Sequence, residues 1–86
     1  MKDISELRQK LDDINKQLLD LVNRRLMIAN DVLNVKSNSN QPAYSPERES
    51  EMIRNLIEIN DGPISEESIE ELFKLIFSLS IKHKTI

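Results

Sequence analysis

Apolar residues in the first part of the chain recur at alternating intervals of three and four. Ile4, Leu7, Leu11, Ile14, Leu18, Leu21, Ile28, Val32 and Val35 keep this spacing, which lays one apolar stripe along a helix in heptad fashion. Between Leu21 and Ile28 the stripe is broken once, because Arg25 stands where Leu or Ile is expected. No Pro or Gly occurs between Met1 and Asn40. The pattern predicts a single helix over about residues 4–36, roughly 50 Å long at ~1.5 Å per residue. A compact chain of ~100 residues has a radius of gyration near 13 Å. The rest of the chain is too small to cover such a helix, and a second copy is the expected cover.

The remaining chain divides at its turn residues. Asp3 or Ser5 caps the first helix, with Glu6 in its first turn. The run Ser37-Asn38-Ser39-Asn40-Gln41-Pro42-Ala43-Tyr44 reads as a loop, since Ser and Asn compete with helix through their side chains and Pro42 ends any helix before it. Ser45-Pro46-Glu47 is a helix start: a cap, a Pro suited to the first helical position, and an acid at the positive helix end. Met52, Ile53, Leu56 and Ile57 form one face of a second helix, about 46–60. Asn60-Asp61-Gly62-Pro63 stops it, with Gly62 expected to supply a positive φ. A third helix, about 65–84, begins at Ser65 and carries Ile69, Leu72, Phe73, Ile76 and Phe77 on one face, with Leu79 beside it. Lys82, His83 and Lys84 suit its negative end. The fold expected is all-α: one domain spanning residues 1–86, a three-helix protomer with one long N-terminal helix, in an intertwined homodimer.

Composition narrows the partners. The net charge is −3 and the pI about 5.1, with charges of both signs making up 31% of the chain. A nucleic-acid binder would show a basic face and a high pI instead. No apolar run approaches the ~18 residues of a membrane span, and the polar N-terminus is unlike a signal peptide. With no Cys and one His, disulfides and thiolate metal sites are excluded. Small chains that lack these supports commonly complete their core by oligomerising. The expectation is a cytoplasmic protein without cofactor or metal, binding neither nucleic acid nor membrane.

Candidate chemistry centres on Arg25. A guanidinium on an apolar stripe either pairs with an acid, sets the register of a helix pair, or faces a bound anion. Lys36, eleven residues on, points to nearly the same side about 16 Å away. Arg8 lies about 100° round the helix from Arg25, so it joins such a site only from a copy lying alongside. Taken alone, each of these cations also reads as a solvated surface residue. Arg48 and Glu49 sit in the first turn of the second helix. On the third, Ser80 and Lys84 extend the face of Phe73 and Ile76 with polar tips, or belong to a fraying end. His83 is a lone histidine. There is no Ser–His–Asp arrangement, Gly-rich phosphate loop or metal-ligand spacing. What remains is a set of cations with one carboxylate and one hydroxyl in a helical dimer, which suits a small dicarboxylic acid.

These residues resemble the all-helical chorismate mutases. The matching elements are Leu7-Arg8, Asp12-Asp13-Ile14-Asn15, Leu18-Leu19-Asp20-Leu21-Val22-Asn23-Arg24-Arg25, Ala29, Lys36, Pro42 and Ser45-Pro46-Glu47-Arg48-Glu49. The resemblance covers roughly residues 4–84, and residues 57–64 resemble the sub-group fused ahead of a DAHP synthase. It implies rearrangement of chorismate to prephenate without cofactor, in a dimer whose two sites each take Arg8 from one protomer and the rest from the other. By the same resemblance Arg8 and Arg25 bind the two carboxylates, and Lys36 reaches a carboxylate and the ether oxygen. Glu49 accepts the ring hydroxyl, Arg48 shapes that end, and Ser80 adds a polar contact. Two positions depart from the family. Ser45 replaces a usual Asp near the hydroxyl end, and Lys84 replaces the usual Gln that donates to the ether oxygen. Arg25, Lys36 and Lys84 are thus the expected catalytic residues, and Arg8, Arg48, Glu49, Ser80 and Ser45 the substrate-binding ones. The alternatives are an isochorismate pyruvate-lyase, which shares the fold, and a non-catalytic helical dimer regulating a DAHP synthase partner.

Overall fold

Three helices form where the sequence caps and stops them. The computed structural model describes the backbone of residues 3–38 and 45–83, and the side chains of residues 3–35 and 45–83. Helix α1 runs Ile4–Asn38, α2 Pro46–Ile59 and α3 Glu66–Lys82, and no strand occurs among the described residues. The Asp3 carboxylate accepts from Ser5 N at 3.1 Å at the head of α1. Ser45 caps α2 by accepting from Arg48 N at 3.3 Å, with Pro46 in the first turn. Ser65 caps α3 by accepting from Ser68 N at 3.1 Å.

Two local features differ from the sequence reading. α1 continues through Ser37 and Asn38 instead of ending near residue 36. Extending a formed helix adds one hydrogen bond per residue, and Ser and Asn cost only ~0.5 kcal/mol in propensity relative to Ala. At the end of α2, Gly62 does not take a positive φ. The turn is closed instead by Asn60, whose side chain accepts from Gly62 N at 3.1 Å and donates to Ile64 O at 3.0 Å. An Asn amide satisfying its own local backbone makes left-handed glycine geometry unnecessary.

α3 packs against both α1 and α2, and the last two diverge around it. The buried apolar side chains among the described residues are Leu33, Ile69 and Phe77, joined by the buried hydroxyl of Ser80. On α1 the protected stripe is Val22, Leu26, Ala29 and Leu33. The heptad stripe itself lies elsewhere: Ile28, Val32 and Val35 are exposed, because they sit roughly 100–160° round the helix from the side that Leu33 buries. Every residue from Asp3 to Leu21 is exposed. The radius of gyration is 16.2 Å and the extents are 58 × 27 × 17 Å, against ~12 Å for a compact chain of this length. α2 and α3 are therefore too short to reach the first half of α1, and Leu7, Leu11, Ile14 and Leu18 lie open.

The Asn60 turn generates a paired prediction for denaturant unfolding. A Cβ at Gly62 meets only Asn60 Oδ1 at 3.6 Å, an ordinary contact. Gly62→Ala is expected to stabilise by about 0.4–1 kcal/mol through the unfolded chain. Asn60→Ala, which removes both turn bonds, is expected to destabilise by about 0.5–1.5 kcal/mol.

Candidate active site

The divergence of α1 and α2 over α3 leaves a cleft. It encloses about 340 Å³, a volume within the range of small-molecule sites. α1 supplies Arg25, Ile28, Ala29, Val32 and Leu33, α2 supplies Ser45, Arg48, Glu49 and Met52, and α3 forms the floor with Phe77 and Ser80. The helical repeat explains the placing: Arg25, Ala29 and Val32 are spaced by four and three, as are Ser45, Glu49 and Met52, so each set presents one stripe.

Arg25 is half-buried and joins all three helices. Its Nη1 donates to Ser80 Oγ at 3.2 Å, and its Nη2 approaches Met52 Sδ at 3.9 Å. Its Cζ lies 5.2 Å from the centre of the Phe77 ring. Ser80 Oγ in turn donates to Ile76 O at 3.0 Å, so the lone pair facing Arg25 is held in place. Among the described residues no carboxylate pairs with Arg25. Of the three roles open to it in the sequence, an internal ion pair is thereby removed. The guanidinium keeps its full charge beside an apolar cavity, where an anion is attracted more strongly than in water.

The rest of the polar rim lies on the first turn of α2. Arg48 forms an exposed pair with Glu51 on its own helix. Such a pair is worth only ~0–1 kcal/mol, so an anion in the cleft can draw Arg48 away from it. Glu49 lines the cleft without a salt-bridge partner among the described residues. Ser45 donates to Glu47 Oε2 at 2.8 Å, and this bond first, then a backbone one, holds the exposed Glu47 carboxyl below its ordinary pKa.

Comparison with known proteins bears on this arrangement. The family model described as chorismate mutase type II matches residues 7–85. The chain belongs to this chorismate mutase family. It is 34% identical over 80 residues to a bifunctional chorismate mutase/prephenate dehydratase of Stutzerimonas stutzeri, covering 87% of this chain and 22% of that one. Among solved structures it is similar to a chorismate mutase (form II) of Thermus thermophilus, with a TM-score of 0.90, 33% identity, and 95% and 93% of the two chains covered. It is similar also to a chorismate mutase of Helicobacter pylori in complex with prephenate, with a TM-score of 0.83, 28% identity, and 92% and 86% covered. The chain spans 19–25% of the length of the bifunctional chorismate mutase/prephenate dehydratases it matches.

In this chorismate mutase-family chain, the cleft brings together Arg25, Ser45, Arg48, Glu49 and Ser80 of the residues anticipated from sequence. Arg8 is exposed on the bare half of α1 and does not line the cleft. Lys36 lies on α1 with its side chain outside the described residues, and Lys84 lies outside them altogether. The sequence reading did not single out Met52 and Phe77, which it assigned to apolar helix faces. Their side chains touch Arg25 only through the packing between helices. The one hint was that Phe77 stands a single turn before Ser80.

Arg25 thus interrupts the apolar stripe with a charge that has no acidic partner among the described residues. Arg25→Leu restores the apolar stripe and is expected to raise stability to denaturant by about 1 kcal/mol. A loss of more than about 1 kcal/mol in the same titration would show instead that the guanidinium holds the fold together.

Proposed function

We propose that this chain is a chorismate mutase, catalysing the rearrangement of chorismate to prephenate. The observation that carries the proposal is the uncompensated Arg25 guanidinium at the edge of an apolar cleft that Arg48 and Glu49 also line. Family membership supplies the reaction, and the bound prephenate of the Helicobacter pylori relative names the ligand of a similar fold. One C–O bond of the enol ether breaks and one C–C bond forms to the ring. No proton or electron leaves, so no acid, base, metal or cofactor is required. The site's task is to hold the folded conformer and to stabilise charge on the ether oxygen.

In this reading Arg25 binds a carboxylate, in fork geometry, while Ser80 keeps the fork in register. Glu49 accepts from the ring hydroxyl, and Arg48 and Ser45 close that end. Ile28, Val32 and Leu33 exclude water and press the side chain over the ring. Lys36 and Lys84 complete the site beside the ether oxygen, Lys84 donating where the family usually has Gln. The second carboxylate is taken by Arg8 of another copy. Support for that copy is physical: α1 is bare from Asp3 to Leu21, and a second α1 laid along it would cover Leu7, Leu11, Ile14 and Leu18 while delivering Arg8. The stretch 57–64 is the sole support for kinship with mutases fused to a DAHP synthase and for such a partner in trans. The Stutzerimonas stutzeri relative named above carries a prephenate dehydratase instead. The proposal places the reaction in the cytoplasm.

Loss of chorismate absorbance with the purified protein is the direct test. Turnover is expected, and Arg25→Ala is expected to lower kcat/KM by at least about 10²-fold, chiefly through KM. Conversion of isochorismate to pyruvate with chorismate untouched would move the assignment to a lyase. Chorismate bound without turnover would move it to a regulatory module. The shared site has its own signature. At chorismate well below the wild-type KM, Arg8→Ala and Arg25→Ala are each expected to be nearly inactive, and mixing and refolding them together should restore up to about a quarter of wild-type activity, because half the sites in mixed dimers are intact. No recovery on mixing would place Arg8 and Arg25 in the same protomer's site, or Arg8 outside it.

A further inference from the structure

Among the described residues the contacts of Arg25 are all uncharged, and their arrangement assigns a role to an apolar residue. We propose that Phe77 is the positioning residue for Arg25: its ring face fixes the guanidinium at the cleft without neutralising it. The inference rests on the mutase reading above for its kinetic consequence, though not for its geometry.

The Arg25 Cζ stands 5.2 Å from the Phe77 ring centre, inside the ~6 Å reach of a cation–π contact. The ring is 5% exposed and the guanidinium half-buried, so the contact is partly desolvated and stronger than an exposed one. The ring cannot easily turn away. Phe73, one helical turn back, meets it at 6.3 Å and 56°, a tilted aromatic pairing that fixes both planes. Ser80 and Met52 each take one N–H of the guanidinium. The remaining N–H groups of the fork stay available to a carboxylate.

The choice of a ring over a carboxylate matters chemically. An acid at this place would hold Arg25 as firmly, but a dianionic ligand would then compete with it for the same charge. An aliphatic side chain of similar volume would fill the floor without attracting the cation or orienting its plane. Phe77 attracts the charge through its quadrupole and leaves the net charge unchanged. Because Arg25 is proposed to hold a carboxylate present in substrate and transition state alike, loosening it removes uniform binding. That loss appears in KM and leaves kcat nearly unchanged.

The test replaces Phe77 with its 4-fluoro, 3,5-difluoro and 3,4,5-trifluoro analogues, which weaken the ring face stepwise at nearly constant shape, and with Leu. KM for chorismate is expected to rise stepwise along the series to roughly 5- to 30-fold in Phe77→Leu, with kcat within about twofold. Independently of turnover, the Arg25 Nε–H resonance is expected upfield in the wild-type protein, from the ring current of Phe77, and displaced downfield in Phe77→Leu. A flat KM series alongside a lowered unfolding midpoint would overturn the proposal by reducing Phe77 to packing. So would an Arg25 resonance indifferent to Phe77→Leu. Absence of chorismate turnover in the wild-type protein would sink the mutase reading alone, since the resonance still decides whether Phe77 positions Arg25. The fluorinated series keeps that spectroscopic reading available where Phe77→Leu does not fold.

Discussion

The arrangement of the cleft depends on one uncompensated charge. Arg25 occupies a place in an apolar stripe where Leu or Ile would pack better, and among the described residues it has no acidic partner. Leaving a charge in such a position costs free energy unless something else stabilises it. Here the something else is neutral: a hydroxyl, a thioether and a ring face, one from each contact the cleft offers. Half-burial keeps the cost tolerable, because part of the guanidinium still meets water. The apolar lining then works in the ligand's favour. Two unit charges 4 Å apart attract by ~1 kcal/mol in bulk water and by ~4 kcal/mol at the effective dielectric near a protein surface.

A second constraint comes from the length of α1. It is 35 residues long, while α2 and α3 have 14 and 17, so two short helices cannot pair with it end to end. The buried apolar set is correspondingly small, with Leu33, Ile69 and Phe77 as its members among the described residues. A domain of this size is marginal on its own surface-to-volume ratio. Under the paired arrangement proposed above, covering the bare half of α1 and completing the site become one event. The same helix carries Arg8 on its uncovered half and Arg25 on its covered half, so in that proposed arrangement stability and chemistry would share an interface.

Much of this was legible in the sequence because it is local. Ser45 with Pro46, and Ser65 with Glu66, announce helix starts through short-range hydrogen bonds that need no tertiary context. Arg25 stood out because it interrupts a strict period. What was not legible depends on which helix meets which. The heptad stripe predicts a face of α1 covered by a second copy, and within one protomer it is Leu33, off that stripe, that is buried, while Val32 and Val35 are not. Periodicity shows that a helix has an apolar side, and it cannot tell a side that faces its own chain from one that faces another. Met52 and Phe77 read as ordinary core residues for a similar reason: their contact with Arg25 is set by the register of α2 and α3 against α1. The Asn60 turn was misread at Gly62, because an Asn side chain can close a turn that a glycine backbone would otherwise close.

The overall charge illustrates how far composition and site can diverge. A net charge of −3 disfavours a dianion at long range, which by itself argues against a dicarboxylate ligand. At physiological salt, however, exposed charges are screened beyond a Debye length of ~8 Å. Most of the acidic residues lie on exposed helix faces, and several belong to the bare half of α1, such as Asp12 and Asp13. α1 rises ~1.5 Å per residue, so Asp12 and Asp13 stand more than two Debye lengths from Arg25 of the same protomer along its axis. What a ligand meets on entering the cleft is Arg25 and Arg48 against low-dielectric walls, with Glu49 as the one carboxylate among the lining residues. A carboxylate there repels an anionic group and accepts from a hydroxyl, which favours a ligand with its charge at one end and its hydroxyl at the other. Among the described residues of one protomer, the polarity of the cleft is thus set by three ionic side chains, Arg25, Arg48 and Glu49.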